Sequence, residues 1–275
     1  MASPFDLIAL SDLKSWLDIA STDDDDLLES LITQISRAIL TYLDRPMILP
    51  CAYTEVRSGG GEQSLVLRNW PALSVSSCTI NGITIPPAPA LVAGAPAEPG
   101  FVLEAADPQP PGRMQILSLR GHRFFRGVQN VTISYRAGYE IAGEAATVPS
   151  VAPYTIAAAA PYGPWASDGG LTYGNGNPLQ AVVGTPALGQ YMVAAGLYTF
   201  AAADAGASVV LTYGYSPADI AICCMDWVAD RYAYRARIGQ SSKSLGGQET
   251  TSFIVRDIPA FVMTALQPYR RVVAL

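Results

Sequence analysis

From its N-terminus the chain first places apolar residues at helical spacing. Ser11 is positioned to cap a short helix with Leu13, Trp16 and Leu17 along one face. After a turn at Ser21-Thr22, Leu28, Leu31, Ile32, Ile35, Ala38, Ile39 and Tyr42 recur at i, i+3, i+4 and i+7. That spacing predicts a longer amphipathic helix, ended by Arg45-Pro46. From Met47 to Tyr139 the period shortens. "AYTEVR", "SLVLR", "SSCTINGITI", "GFVLEA", "MQILSL" and "NVTISY" read as short strands between turn clusters, with Asn81-Gly82 as a two-residue hairpin turn. The Pro-rich stretches "PPAPALVAGAPAEP" and "DPQPPG" read as exposed loops. Residues 146–213 are poor in charge and rich in Ala, Gly and Tyr, and runs such as "QYMVA", "LYTFA" and "VVLTYGY" predict a second all-β unit.

Helical spacing returns at Ser216-Pro217-Ala218-Asp219, with Ser216 as N-cap, and continues to about Ile238. Ala218, Ile222, Met225, Ala229 and Tyr232 form one apolar stripe; Ile220, Cys224, Trp227 and Tyr234 form another. A helix apolar on two faces is buried on two sides, in a core or between subunits. "GQSSKSLGGQETTS" reads as a flexible loop, and a last helix follows Asp257 with Phe261, Val262, Ala265 and Leu266. The fold class expected is α+β. It comprises a small α-helical bundle, a β-strand region and an inserted all-β sandwich- or barrel-like domain, divided at 1–46, 47–145, 146–213 and 214–275. One echo bears on this division. "VTISYRAGY" (Val131 to Tyr139) and "VVLTYGYSP" (Val209 to Pro217) share V-x-[IL]-[ST]-Y. The simplest account is a β unit inserted between a strand and the helix that once followed it.

Composition narrows the function classes. Half of the 275 residues are hydrophobic and 15% are charged, enough for a sizeable core. The net charge of −6 argues against a protein that grips DNA or an anionic membrane, though not against one that surrounds DNA. Cys51, Cys78, Cys223 and Cys224 form no CxxC pair, so reduced thiols are expected rather than zinc or disulfides. The N-terminus has no signal-peptide pattern and no run is apolar enough to span a membrane. The expectation is a protein made and used in cytosol, or carried out inside a larger particle.

The single histidine, His122, lies in "LRGHRFFRG" beside Arg120, Arg123 and Arg126, with no acid close in sequence to orient it. That segment reads as a solvated loop, or as a small basic patch for phosphate or an acidic partner. No phosphate loop, nucleophile elbow or H-E-x-x-H occurs, so no catalytic residue, metal or cofactor is expected. Asp23, Asp24, Asp25 and Asp26 are contiguous and lack the alternation of a calcium loop. With Thr22 or Asp23 as cap, acids in a first helical turn stabilise it by roughly 0.3–1 kcal/mol each. Four exceed what a cap needs, so this end is expected to face water or a basic partner.

Taken in order, the motifs resemble the head–tail connector (adaptor, or head-completion) proteins of long-tailed double-stranded DNA phages. The N-terminal match is "LSDLKSWLDI" followed by "DDLLESLITQISRAILTYLDRP"; the middle match is "WPALSVSSCTINGITI" with "FFRGVQNVTISYRAGY"; the C-terminal match is "SPADIAICCMDWVADRYAYR" with "IPAFVMTALQPYRR". The resemblance covers all but the second β unit. It implies a non-enzymatic virion protein in a ring of twelve copies under the portal, extending the DNA channel and offering a platform for the stopper or tail-terminator protein. It further implies a C-terminal portal-docking segment with Ile254, Ile258, Phe261, Leu266, Tyr269, Arg270 and Arg271. Trp227, Tyr232 and Tyr234 are expected in subunit packing, and Asp23 to Asp26 on the ring surface or channel rim, where acids repel DNA that must pass without sticking. The alternative from another class is a carbohydrate- or protein-binding β module, with Tyr154, Tyr162, Trp165, Tyr173, Tyr191 and Tyr198 stacking on sugars.

Overall fold

The computed structural model describes residues 3, 5–107, 109–235, 242–245, 249–252 and 258–271. Helix α1 (Leu10–Leu17) and helix α2 (Asp25–Tyr42) form the expected N-terminal pair. In α1, Leu13 is buried and Leu17 half-buried, four residues apart on one face. Two details differ from the sequence reading. Ala9, not Ser11, precedes the helix, and Trp16 rides the edge of the buried face, 54% exposed. Helix α2 buries Leu28, Ile32, Ile35, Ile39 and Leu40. It stops where Asp44 takes a left-handed conformation (φ 53°) and the Arg45 N–H reaches back to the Leu40 carbonyl at 3.1 Å.

Seven strands follow: β1 (Cys51–Gly59), β2 (Ser64–Val66), β3 (Ala72–Ile80), β4 (Ile83–Ile85), β5 (Gly100–Leu103), β6 (Ile116–Arg120) and β7 (Gly127–Ala137). They form a sheet β1-β7-β3-β4 and a sheet β2-β6-β5. Their core includes Leu67, Cys78, Ile80, Leu117, Val131 and Ile133. Asn81 and Gly82 join β3 to β4 with φ of 52° and 80°, the two positive values a tight hairpin turn requires.

Seven more strands then repeat most of the plan: β8 (Glu140–Thr147), β9 (Thr155–Ala157), β10 (Trp165–Tyr173), β11 (Gln180–Ala181), β12 (Gln190–Ala194), β13 (Leu197–Phe200) and β14 (Ser208–Tyr215). Their sheets are β10-β14-β8 and β11-β12-β13-β9. In both units the first strand pairs with the last, the last with the third, and the second with the sixth, which pairs with the fifth. The correspondence reaches single atoms. Tyr135 on β7 donates its hydroxyl to Glu55, which faces Ile133 across the ladder; Tyr213 on β14 donates to Glu144, which faces Leu211. The Gly138 N–H binds the Pro71 carbonyl at 2.9 Å, and the Ser216 N–H binds the Pro164 carbonyl at 3.0 Å. The shared V-x-[IL]-[ST]-Y is therefore the central strand of each of two units that pair six of their seven strands alike; the fourth differs, β4 lying antiparallel to β3 and β11 parallel to β12. The second unit begins at Glu140, six residues ahead of the boundary expected from composition.

Helix α3 (Ala218–Tyr234) leaves β14 directly. Ser216 does not cap it: Pro217 occupies the cap position, and the buried Ser216 hydroxyl has no hydrogen-bond partner among the described residues. The segment read as a flexible loop contains an antiparallel hairpin of β15 (Ser242–Leu245) and β16 (Glu249–Ser252). Helix α4 (Ala260–Leu266) and a 3-10 turn, Gln267–Tyr269, end the described chain. The four helices share one core with Tyr139 and Tyr215, each set just beyond or at the end of its β unit. Their rings lie 5.8 Å apart, and Tyr139 meets Tyr269 at 6.1 Å. The fold is thus α+β, with two β units rooted in one helical base. Gly138, at the root of the first, has φ 143° and would place a Cβ 2.5 Å from the Leu49 carbonyl. Ala-Gly-Tyr at this point is a packing requirement.

Candidate functional site

The surfaces able to meet a partner lie on the helical base and at the tip of the first β unit. At the N-terminal end of α2 the four aspartates separate into two kinds. Asp24 accepts from the Tyr232 hydroxyl (2.6 Å) and from both terminal nitrogens of Arg235 (2.8 and 3.2 Å), joining α2 to α3. The Arg235 contact first, then the Tyr232 hydroxyl, holds its carboxyl below the usual range. Asp25 pairs with Lys14 of α1 at 2.7 Å. The Asp23 carboxylate accepts from the Ser21 hydroxyl, which in turn accepts from the Asp23 N–H, and Asp26 is exposed; both face solvent. No side chain caps α2. The run therefore stitches three helices together with its middle members and leaves its outer members on the surface.

The C-terminal return, Ile258 to Arg271, lies against α2 and α3. Leu266 and Tyr269 are buried in the helical core, and the Tyr269 hydroxyl donates to Asp219 at 3.0 Å. The Arg271 N–H binds the Leu43 carbonyl (2.9 Å) and its Nε binds Asp44 (3.0 Å), while the Tyr42 hydroxyl donates to the Met263 carbonyl (3.1 Å). Two of the expected docking contacts, Leu266 and Tyr269, are thus turned inward and hold the segment in place. Ile258 is half-buried against the same core; Phe261 and Arg270 are exposed. Ile254 lies outside the described residues.

The residues expected in subunit packing are engaged within the protomer. Trp227 is buried in the helical core, its indole N–H without a partner among the described residues. Tyr232 is committed to Asp24, and Tyr234 is half-buried. Where α2 meets the first β unit sits a buried arginine that sequence reasoning missed. Arg45 donates to the Trp70 carbonyl and, at 3.3 Å, to the Tyr139 hydroxyl. Its guanidinium lies 4.4 Å from the Trp70 ring and 5.4 Å from that of Tyr139, and no carboxylate pairs with it among the described residues. The only sequence signal for it was its place before Pro46. An open groove of about 630 Å³ adjoins it, lined by Phe5, Arg37, Thr41, Asp44 and Arg271.

The aromatics of the second β unit form no open row for a sugar. Tyr191 and Tyr198 are buried; Tyr154, Tyr162, Trp165 and Tyr173 are half-buried. Four of them have internal polar partners: Tyr191 donates to Asp168 (2.5 Å), Trp165 to Tyr198 (3.1 Å) and Tyr173 to the buried Asp204 (2.5 Å). Among the described residues no cluster of His, Cys, Asp or Glu could hold a metal ion, and no helix is long and apolar enough to cross a membrane.

At the far end of the first unit, Arg120 ends β6, and the loop from there to β7 carries His122, Arg123 and Arg126. The three arginines bond backbone carbonyls, of Pro89, Gly61 and Gly60 respectively. Phe125 and Val128 stand 55% and 86% exposed beside them.

Comparison with protein-family models gives a match to the head completion protein family over residues 6–145, half of the chain. The matched span holds the N-terminal and middle motifs and the whole first β unit; the C-terminal motif lies beyond it. A solved structure described as the neck of an empty GTA particle, computed with C6 symmetry, is similar at 13% sequence identity and a TM-score of 0.43. That alignment covers 100% of this chain and 95% of the other. No curated protein matches.

Proposed function

The chain belongs to the head completion protein family, and from that premise we propose that it is a structural protein of the phage head–tail neck, without enzymatic activity. In this reading, copies of the chain assemble as a ring of twelve under the portal, extend the DNA channel, and present a platform to the stopper or tail-terminator protein. It is made in the host cytoplasm and retained in the virion neck. The family match over the first two helices and the first β unit is the observation that carries the reading.

Several features support the finer parts. The exposed Asp23 and Asp26 and the net charge of −6 suit a surface past which DNA moves, since phosphates meet repulsion and release no counterions. Phe261 and Arg270 form the outward side of the C-terminal return and are its proposed portal contacts, supported from within by Leu266 and Tyr269. The second β unit is proposed as an inserted, sandwich-like domain that enlarges the tail-facing platform. Negative-stain imaging of the purified protein with the portal protein of the same genome tests the assignment. Rings seated on the portal's narrow end are expected. Well-folded protein that forms neither rings nor a portal complex would overturn it.

A further inference from the structure

The basic tip of the first β unit and one face of the helical base match each other in both charge and apolarity. On the base, Asp12 and Trp16 lie four apart on α1, and Ile222 and Asp226 lie four apart on α3. Both pairs share one helix face, because a four-residue step returns close to the same side. Helices α1 and α3 are in contact, and the Trp16 indole lies beside the Asp226 carboxylate, so the two pairs adjoin. Trp16 is 54% and Ile222 46% exposed. Large apolar side chains on a monomer surface, rimmed by charge, mark a contact surface. On the tip, Phe125 and Val128 are the exposed apolar pair, and Arg123 and Arg126 are the rim. Those arginines bond the Gly61 and Gly60 carbonyls of the adjoining β1–β2 turn, which also holds Glu62, and neither forms an ion pair among the described residues.

We propose that the tip loop of one copy, through Arg123, Phe125, Arg126 and Val128, docks on the Asp12–Trp16–Ile222–Asp226 face of the next copy. The inference rests on the reading that the chain assembles with itself. The two surfaces lie on different parts of the protomer. The tip stands at the far end of β7, whose 11 residues span roughly 35 Å from the helical base. A contact between unlike surfaces is head-to-tail, and such contacts close into rings when the rotation between copies permits. DNA phosphate is the competing partner for the arginines. It gives no use for Val128 and Phe125 and would be repelled by the acid-rich remainder of the chain.

The test uses the full chain in sedimentation velocity. Arg123→Glu with Arg126→Glu disables the tip; Asp12→Lys with Trp16→Ala disables the face. All four positions are exposed, and circular dichroism confirms folding. Each variant alone is expected to self-associate at least about tenfold more weakly than the wild type, with the wild type itself weakened by salt. Mixed one to one, the two variants should form a heterodimer and nothing larger, because one tip and one face remain intact. Assembly of both variants like the wild type would overturn the inference and leave the ring reading standing. Loss of duplex-DNA binding by the tip variant, with self-association unchanged, would also overturn it. A wild type that stays monomeric at every concentration would overturn this inference, while the ring reading would then stand or fall on the imaging with the portal.

Discussion

Replacing Arg45 by alanine tests how the helical base holds the first β unit. In the wild type the buried guanidinium bonds the Trp70 carbonyl and the Tyr139 hydroxyl and lies against both rings. A hydrogen bond from a charged donor is worth about 1.5–3 kcal/mol. Partly desolvated cation–ring contacts add about 0.5–2 kcal/mol. Alanine removes both, opens a void and strands the Trp70 carbonyl. Against this, the wild type bears the desolvation of a buried cation with no counter-ion, and the variant is relieved of it. The net expectation is a loss of about 3 kcal/mol, or a midpoint lowered by about 6–12 °C in thermal unfolding followed by circular dichroism. Arg45→Met, which restores volume but no donors, should fall between wild type and Arg45→Ala. Lysine should not rescue fully, because a compact ammonium cannot reach a carbonyl and two ring faces with one planar group. An Arg45→Ala midpoint within about 2 °C of wild type would refute the reasoning, showing that desolvation cancels the contacts.

Gly138→Ala should cost at least about 2 kcal/mol, since φ of 143° and a Cβ 2.5 Å from the Leu49 carbonyl leave no room to adjust; urea titration reads the loss. Trp227→Ala should cost about 3–5 kcal/mol, and Trp227→Phe much less, because the indole N–H makes no hydrogen bond among the described residues; chemical denaturation separates the two. Asp24→Asn should destabilise at neutral pH. The Asp24 carboxyl is lowered from its ordinary 3.8 by Arg235 and Tyr232, so its contribution is present above that value and lost as pH falls through the lower folded value. The stability curves of wild type and Asp24→Asn should therefore converge below about pH 4, and a constant gap down to pH 2 would exclude the ion pair as the cause. Burial pushes the thiols of Cys78 and Cys223 up to about 11 and Cys224 up to about 12. Alkylation of native protein at pH 8 should thus label Cys51 alone, as mass spectrometry of peptides would show; labelling of the other three before unfolding would contradict their burial.

Local pattern alone determined much of this protein. The spacing of Leu28, Ile32, Ile35 and Ile39 specifies α2 because each periodic residue buries on one side whatever the partner is. Asn81-Gly82 specifies its hairpin because two consecutive left-handed residues admit few alternatives. The order of the motifs placed the chain in its family, and the family match bears that out. Other features were decided only by residues distant in sequence. Asp24 was legible as a helix acid, but its partners, Tyr232 and Arg235, lie more than 200 positions away. Ser216 satisfied every local rule for a cap, yet the chain enters α3 with Pro217 at the cap and the hydroxyl buried. Trp16 belonged by period to the buried face, and the approach of α3 left it at the edge beside Asp226. The repeated pairing of six strands was visible as a five-residue echo and no more. Strand pairing is set between segments far apart, and two units can pair six strands alike while sharing little more than the central strand and the Glu that its Tyr binds. Periodicity fixes which side of an element is buried; what covers that side is settled only when the chain closes on itself.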